Sequence, residues 1–92
     1  MTGHIHDVRF SPADAAQGAE GLLGYVRFEV GALRLDGVMV RRSREGRVGL
    51  SFPVRRARNG IEYPLVRPTT PWERARIESA VIGELRSRGE LP

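Results

Sequence analysis

Between Leu22 and Val30 the chain alternates in a way that few folds can use. Leu22, Val26, Phe28 and Val30 share one parity, and Tyr25, Arg27 and Glu29 share the other. Successive side chains of a strand point to opposite faces, so this stretch reads as a strand with one face in a core and one in water. Such a strand needs partners, and the neighbouring sequence supplies them. Leu33, Leu35, Val38 and Val40 follow Gly31, but their parity switches at Asp36-Gly37. An Asp-Gly hairpin there would leave arms of only about four residues. A bulge at Gly37 instead keeps both apolar pairs on one face of a single bent strand, and this is the reading we adopt.

The rest of the chain extends the pattern. His4 to Phe10 reads as a first strand, with His4, His6 and Val8 alternating against Ile5, Asp7 and Arg9. Ser11 to Gly21 is small and polar, and is expected to be a loop with at most one helical turn after Ser11-Pro12. Ser43 to Gly46 is a turn, Arg47 to Phe52 returns as a strand, and Pro53 ends it. Val54 to Gly60 is expected to be a basic loop closing on Asn59-Gly60. Ile61, Tyr63 and Leu65 alternate with Glu62 and Pro64 in a strand whose proline places it at an edge or bulge. Thr70, Pro71 and Glu73 predict a capping box opening a helix. Ile77, Val81, Ile82 and Leu85 form its apolar stripe, and Gly89 sits where a C-terminal cap belongs. The expected class is α+β: a small, mostly antiparallel sheet of about five strands with a C-terminal helix.

Ninety-two residues leave room for one core, so residues 1–92 are read as a single domain. A chain of this size buries only roughly 60–65% of its extended surface, and a partner subunit would add to a thin stability. With no cysteine there is neither a disulfide framework nor a thiolate metal site. No apolar run approaches the ~20 residues of a membrane span, and a cytoplasmic location is the expectation.

Charge is unevenly distributed. Arg41 to Arg58 holds seven of the fifteen arginines and one acid, Glu45, and so carries +6 in a chain of net +4. The remainder sums to −2. Arg41, Arg42, Arg44 and Arg47 lie before the strand at Val48 to Phe52, and Arg55, Arg56 and Arg58 lie after it. Guanidinium groups suit bidentate phosphate contact, and a basic rim of this kind fits a nucleic-acid backbone. The absence of lysine also follows from a GC-rich coding sequence, so the placement of the arginines carries the argument. Phe52 is read mainly as core, by its parity with Val48 and Leu50, whereas Tyr63 is balanced between core packing and base stacking.

From Phe52 onward the chain resembles the SpoVG family of bacterial septation and stage V sporulation regulators. The matching features are Pro53, Arg55-Arg56, Gly60, the strand from Ile61 to Val66, Pro68, and the helix with Arg74, Arg76, Ile77, Ala80 and Val81. No gap is needed from Pro53 to Val81. Ile5 and Asp7-Val8-Arg9 are similar to the family's opening strand. The chain departs from the pattern in a longer Ser11 to Gly21 segment, an extra residue near Ser43 to Gly46, and Gly37 at an apolar position. The resemblance implies a homodimeric regulator that binds DNA or RNA. It places binding on Arg55, Arg56 and the Thr70 to Arg76 stretch, which includes Arg74.

Two other readings compete. A protein-interaction module would use Trp72 and the helix stripe as partner anchors. An enzyme is disfavoured, because no nucleophile–base–acid grouping and no phosphate-cradling glycine loop is present. His4 and His6, two apart, lack the third ligand that a zinc site requires and are read as exposed. No metal and no cofactor is expected.

Overall fold

The computed structural model describes residues 4–92. β1 (Ile5–Pro12), β2 (Leu22–Val30), β3 (Leu33–Arg42) and β4 (Val48–Ser51) form an antiparallel sheet in sequence order. A short helix α1 (Ala15–Ala19) joins β1 to β2. β5 (Val54–Arg56) and β6 (Glu62–Pro64) make a separate two-stranded ribbon, and α2 (Pro71–Ser87) follows. The class is α+β, with six strands in two sheets where about five strands were expected.

Three irregularities bend the main sheet and set which residues enter the core. On β3, Leu35 pairs with Phe28 and Val38 with Val26, so Asp36 and Gly37 bulge out between them. Gly37 has φ +73°, a backbone that a residue without Cβ adopts freely. The parity switch is therefore a bulge within one strand. β1 carries another: His6 pairs with Glu29 and Arg9 with Arg27, with Asp7 at φ +51° inside the irregularity. This overturns the simple alternation expected for the first strand. His6 faces outward, whereas Val8 is buried and Ile5 and Phe10 pack against the core. The third lies on β2 at Leu23, between the Leu22–Arg41 and Gly24–Val40 pairs.

The core gathers Val8, Val26, Phe28, Leu35, Val38, Val40, Leu50 and Phe52 from the strands with Val81, Ile82 and Leu85 of α2. Val81 and Leu85 are fully buried, one helical turn apart on the stripe that the sequence predicts. Thr70 caps the helix by accepting from the Glu73 N–H at 3.1 Å. The reciprocal half of the expected capping box is replaced: the Glu73 carboxylate takes the Arg76 Nε at 2.9 Å. At the other end, Gly89 (φ +76°) donates to Arg86 O and Glu90 donates to Leu85 O, a Schellman close.

Two segments differ from the sequence reading. Ser11 and Pro12 belong to β1 rather than to the loop, while the helical turn allowed for after them is α1, capped by Asp14 and Gln17 in a reciprocal box. Val54 to Arg56 is a strand, not part of a loop, because Glu62 to Pro64 lies beside it. The reversal at Ala57 to Ile61 places Gly60 at φ +83° and lets the Asn59 side chain accept from the Ile61 N–H at 3.0 Å. Pro64 costs such a ribbon little, since both of its strands are edges.

Candidate nucleic-acid interface

The seven arginines of the basic segment fall into two groups. Arg41 and Arg42 end β3, and Arg44 and Arg47 lie in or beside the turn to β4. That turn is tied by Ser43 N to Arg47 O at 2.8 Å and by Arg47 N to Ser43 Oγ at 3.1 Å. Arg55 and Arg56 stand on β5, with Arg58 at the ribbon's turn. β4, four residues or about 13 Å long at strand rise, lies between the groups in the chain. The structure therefore presents two basic clusters at opposite ends of β4.

Ion pairing is sparser among these arginines than among the others. Of the eight elsewhere, Arg9, Arg34, Arg74, Arg76 and Arg88 have carboxylate partners, whereas Arg27, Arg67 and Arg86 show none among the described residues. Within the basic segment only Arg56 has one, Glu62 at 2.6 Å. Among the described residues, Arg41, Arg42, Arg44, Arg47, Arg55 and Arg58 are exposed and carry no ion pair. Arg55 lies over the Tyr63 ring at 5.4 Å, which holds the cation near an aromatic face that is 42% exposed. Phe52 is buried, as its parity predicts, and is not presented for stacking.

Arg74 stands in the first turn of α2, where the resemblance places it, and is also engaged within the fold. Its Nη1 donates to Leu50 O at 3.0 Å and to Glu78 Oε2 at 3.3 Å, and its guanidinium covers the Phe52 ring at 5.4 Å. Glu78 Oε2 in turn accepts the Leu50 N–H at 2.8 Å. Leu50 is paired with Val40 on the edge strand β4, so the two side chains of α2 occupy backbone groups that a further strand would otherwise use. Arg74 latches the helix to the sheet.

Away from the helix, the outer face of the sheet carries its own charge network. Asp7 accepts from Arg9 at 3.2 Å, and Glu29 binds Arg34 at 2.7 Å and His6 at 3.0 Å. The Arg9 hydrogen bond, aided by the charges of Arg9, Arg27 and Arg34, holds the Asp7 carboxyl below its ordinary value. The hydrogen bond to Glu29 raises Arg34 above its own. His4 and His6 stack at 6.2 Å, and among the described residues no group of three or more His, Cys, Asp or Glu is placed to hold a metal. No helix among the described residues is long and apolar enough to cross a membrane.

Comparison of the chain with protein-family models, curated proteins and solved structures gave no match.

Proposed function

We propose that this protein is a nucleic-acid-binding regulator of the SpoVG type, acting in the cytoplasm as a homodimer, in which arginines hold a phosphate backbone. The observation that carries the reading is the contrast in pairing: six of the seven arginines of one segment are exposed without carboxylate partners, whereas five of the eight elsewhere have them. A chain that distributes eleven acids and leaves this segment unneutralised keeps its cations for an external anion. Arg41, Arg42, Arg44 and Arg47 would form one phosphate contact region and Arg55 and Arg58 the other. Such contacts give affinity and orientation without base choice. The role is one of binding, with no catalytic step.

The homodimer rests on the resemblance and on apolar exposure. Leu33, Ile61, Leu65 and Trp72 are all more than half exposed, and a concavity of about 320 Å³ opens among Val30, Leu33, Phe52, Val66 and Ile77. The same exposed side chains also favour a second reading, an interaction module for another protein, whose complexes would resist added salt.

Fluorescence anisotropy with mixed-sequence single-stranded RNA and duplex DNA separates the two readings. Six phosphate contacts predict that raising salt from about 50 to 200 mM weakens binding about 10³-fold. The triple variant Arg55→Glu, Arg56→Glu, Arg58→Glu, checked for folding, is expected to lose binding. Absence of binding to both probes by the wild type would overturn the regulator reading. Light scattering against the 10.2 kDa chain mass reads the dimer directly.

A further inference from the structure

The outer face of the four-stranded sheet contains an arrangement that neither the fold nor the basic segment explains. Ser11, Tyr25, Met39 and Ser51 are cross-strand neighbours in register, a row running straight across β1, β2, β3 and β4. Tyr25, at its centre, is 42% exposed. On one side of the row Arg9 and Arg27 are directly opposite each other. On the other side Arg41 lies against Met39, its Nη2 at 3.8 Å from the sulfur. An aromatic ring and a thioether are thus flanked by guanidinium groups on both sides, each about two residues, or roughly 7 Å, along the strands.

The Arg9–Arg27 pair is the informative part. Like charges directly across an antiparallel pair oppose folding. Asp7 compensates Arg9, but among the described residues Arg27 has no ion pair, and its Nε is shielded from solvent without a hydrogen-bond partner. A desolvated, unbonded guanidinium nitrogen is a cost that needs a reason. The Arg27 side chain also lines an open space. Because β3 bulges at Asp36–Gly37 opposite Arg27, and Gly37 has no side chain, a concavity of about 470 Å³ opens among Arg9, Ser11, Tyr25, Arg27, Asp36 and Gly37.

We propose that this face is a binding platform for unpaired nucleotides: a base stacks on Tyr25 beside Met39, and the flanking phosphates are taken by Arg9 and Arg27 on one side and Arg41 on the other. Every base has a π face, so stacking on Tyr25 requires no particular sequence. Asp36, on the rim of the concavity, repels a phosphate placed deep against the bulge and accepts from the exocyclic amino edge of a base there. A four-stranded sheet of this width carries about two or three bases. The inference rests on the nucleic-acid reading above and deepens it. The ligand is single-stranded, the sheet face receives its bases, and Arg41 links this face to the basic turn. A duplex, whose bases are stacked on each other, cannot use Tyr25.

The test titrates ¹⁵N-labelled full-length protein with a mixed-sequence RNA hexanucleotide and measures anisotropy for Tyr25→Leu, Tyr25→Phe and Arg27→Gln, each checked for folding by circular dichroism. The amides of Ser11, Tyr25, Arg27, Gly37 and Met39 are expected to shift. Tyr25→Leu is expected to weaken single-strand binding about 5- to 100-fold and to leave duplex binding unchanged, while Tyr25→Phe, which keeps the ring, binds as the wild type does. Arg27→Gln is expected to lower the salt slope for the single strand by about 0.7. Shifts confined to residues 41–47 and 54–60, or Tyr25→Leu binding RNA within twofold of the wild type, would overturn the platform and leave the phosphate-binding function standing. Shifts on the sheet face with full binding by the Arg55, Arg56, Arg58 variant would support the platform and remove the ribbon from the interface. A wild-type protein that binds no single strand overturns the platform whatever it does with duplex.

Discussion

Glu78 offers the sharpest test of how the helix and the sheet are joined. Its Oε2 accepts from the Leu50 N–H at 2.8 Å and from Arg74 Nη1 at 3.3 Å, and its side chain is only 25% exposed. In Glu78→Ala the Leu50 N–H loses a charged acceptor, and Arg74 keeps the Leu50 carbonyl and the Phe52 ring. A hydrogen bond to a charged group contributes about 1.5–3 kcal/mol. Water reaches part of this site, so the low end applies, and we expect a loss of about 1.5 kcal/mol. For a domain of this size, each kcal/mol moves the melting temperature by roughly 4–8 °C. The expected fall is therefore about 6–12 °C by thermal circular dichroism, with Glu78→Gln, which keeps an acceptor oxygen, falling by less than half as much. Arg74→Ala should resemble Glu78→Ala, and the double variant should cost less than the sum, because both side chains serve one residue of β4. A Glu78→Ala melting point within 2 °C of the wild type would refute the latch. The result also bears on function: a binding defect in an Arg74 variant has to be read after its folding defect.

Further outcomes follow from the sheet. A Cβ on Gly24 would collide with the backbone carbonyl of Ser11 and come within 2.6 Å of the Phe10 ring, so Gly24→Ala should destabilise by about 3 kcal/mol and lower the melting point by at least about 12 °C. A fall of less than 4 °C would show that β1 shifts freely against β2. Asp7→Asn keeps a side chain that tolerates φ +51° and removes the charge. Because Arg9 depresses the Asp7 carboxyl, its contribution to stability is complete above the ordinary value of 3.8 and is lost as pH falls below it. Urea midpoints across that window should decline less steeply in Asp7→Asn than in the wild type, and identical slopes would remove Asp7 from the acid response.

How legible these features were depended on whether their signal was local. The Gly37 bulge could be read because a parity switch coincided with a glycine. The Asp7 bulge had no glycine to mark it, although the spacing of Ile5, Val8 and Phe10 contained the same information. α1 had a local signal that the sequence reading did not use: Asp14 and Gln17, three apart, are a capping box in a stretch too short for apolar periodicity to show. β5 was hidden for a different reason: Val54-Arg55-Arg56 has no alternation and becomes a strand only because Glu62 to Pro64 pairs with it. For the candidate interface, sequence gave the cluster of arginines but not their partners. That Arg56 is neutralised by Glu62, that Arg74 is engaged by Leu50, and that Arg27 faces Arg9 are all consequences of register. Charge is countable along a chain, whereas pairing is a property of the fold.

The strand order β1-β2-β3-β4 also has a consequence for how the chain folds. Every pairing in the main sheet joins sequence neighbours, so each closes a short loop, and a topology of local contacts folds quickly. α2 follows the sheet in the chain and contacts both β1 and β4. During synthesis the sheet can therefore assemble while the helix is still within the ribosome, with the outer edge of β4 uncovered until Arg74 and Glu78 emerge. In that interval the nascent chain is a sheet with an open border, and the emergence of α2 closes it against neighbours on the same message.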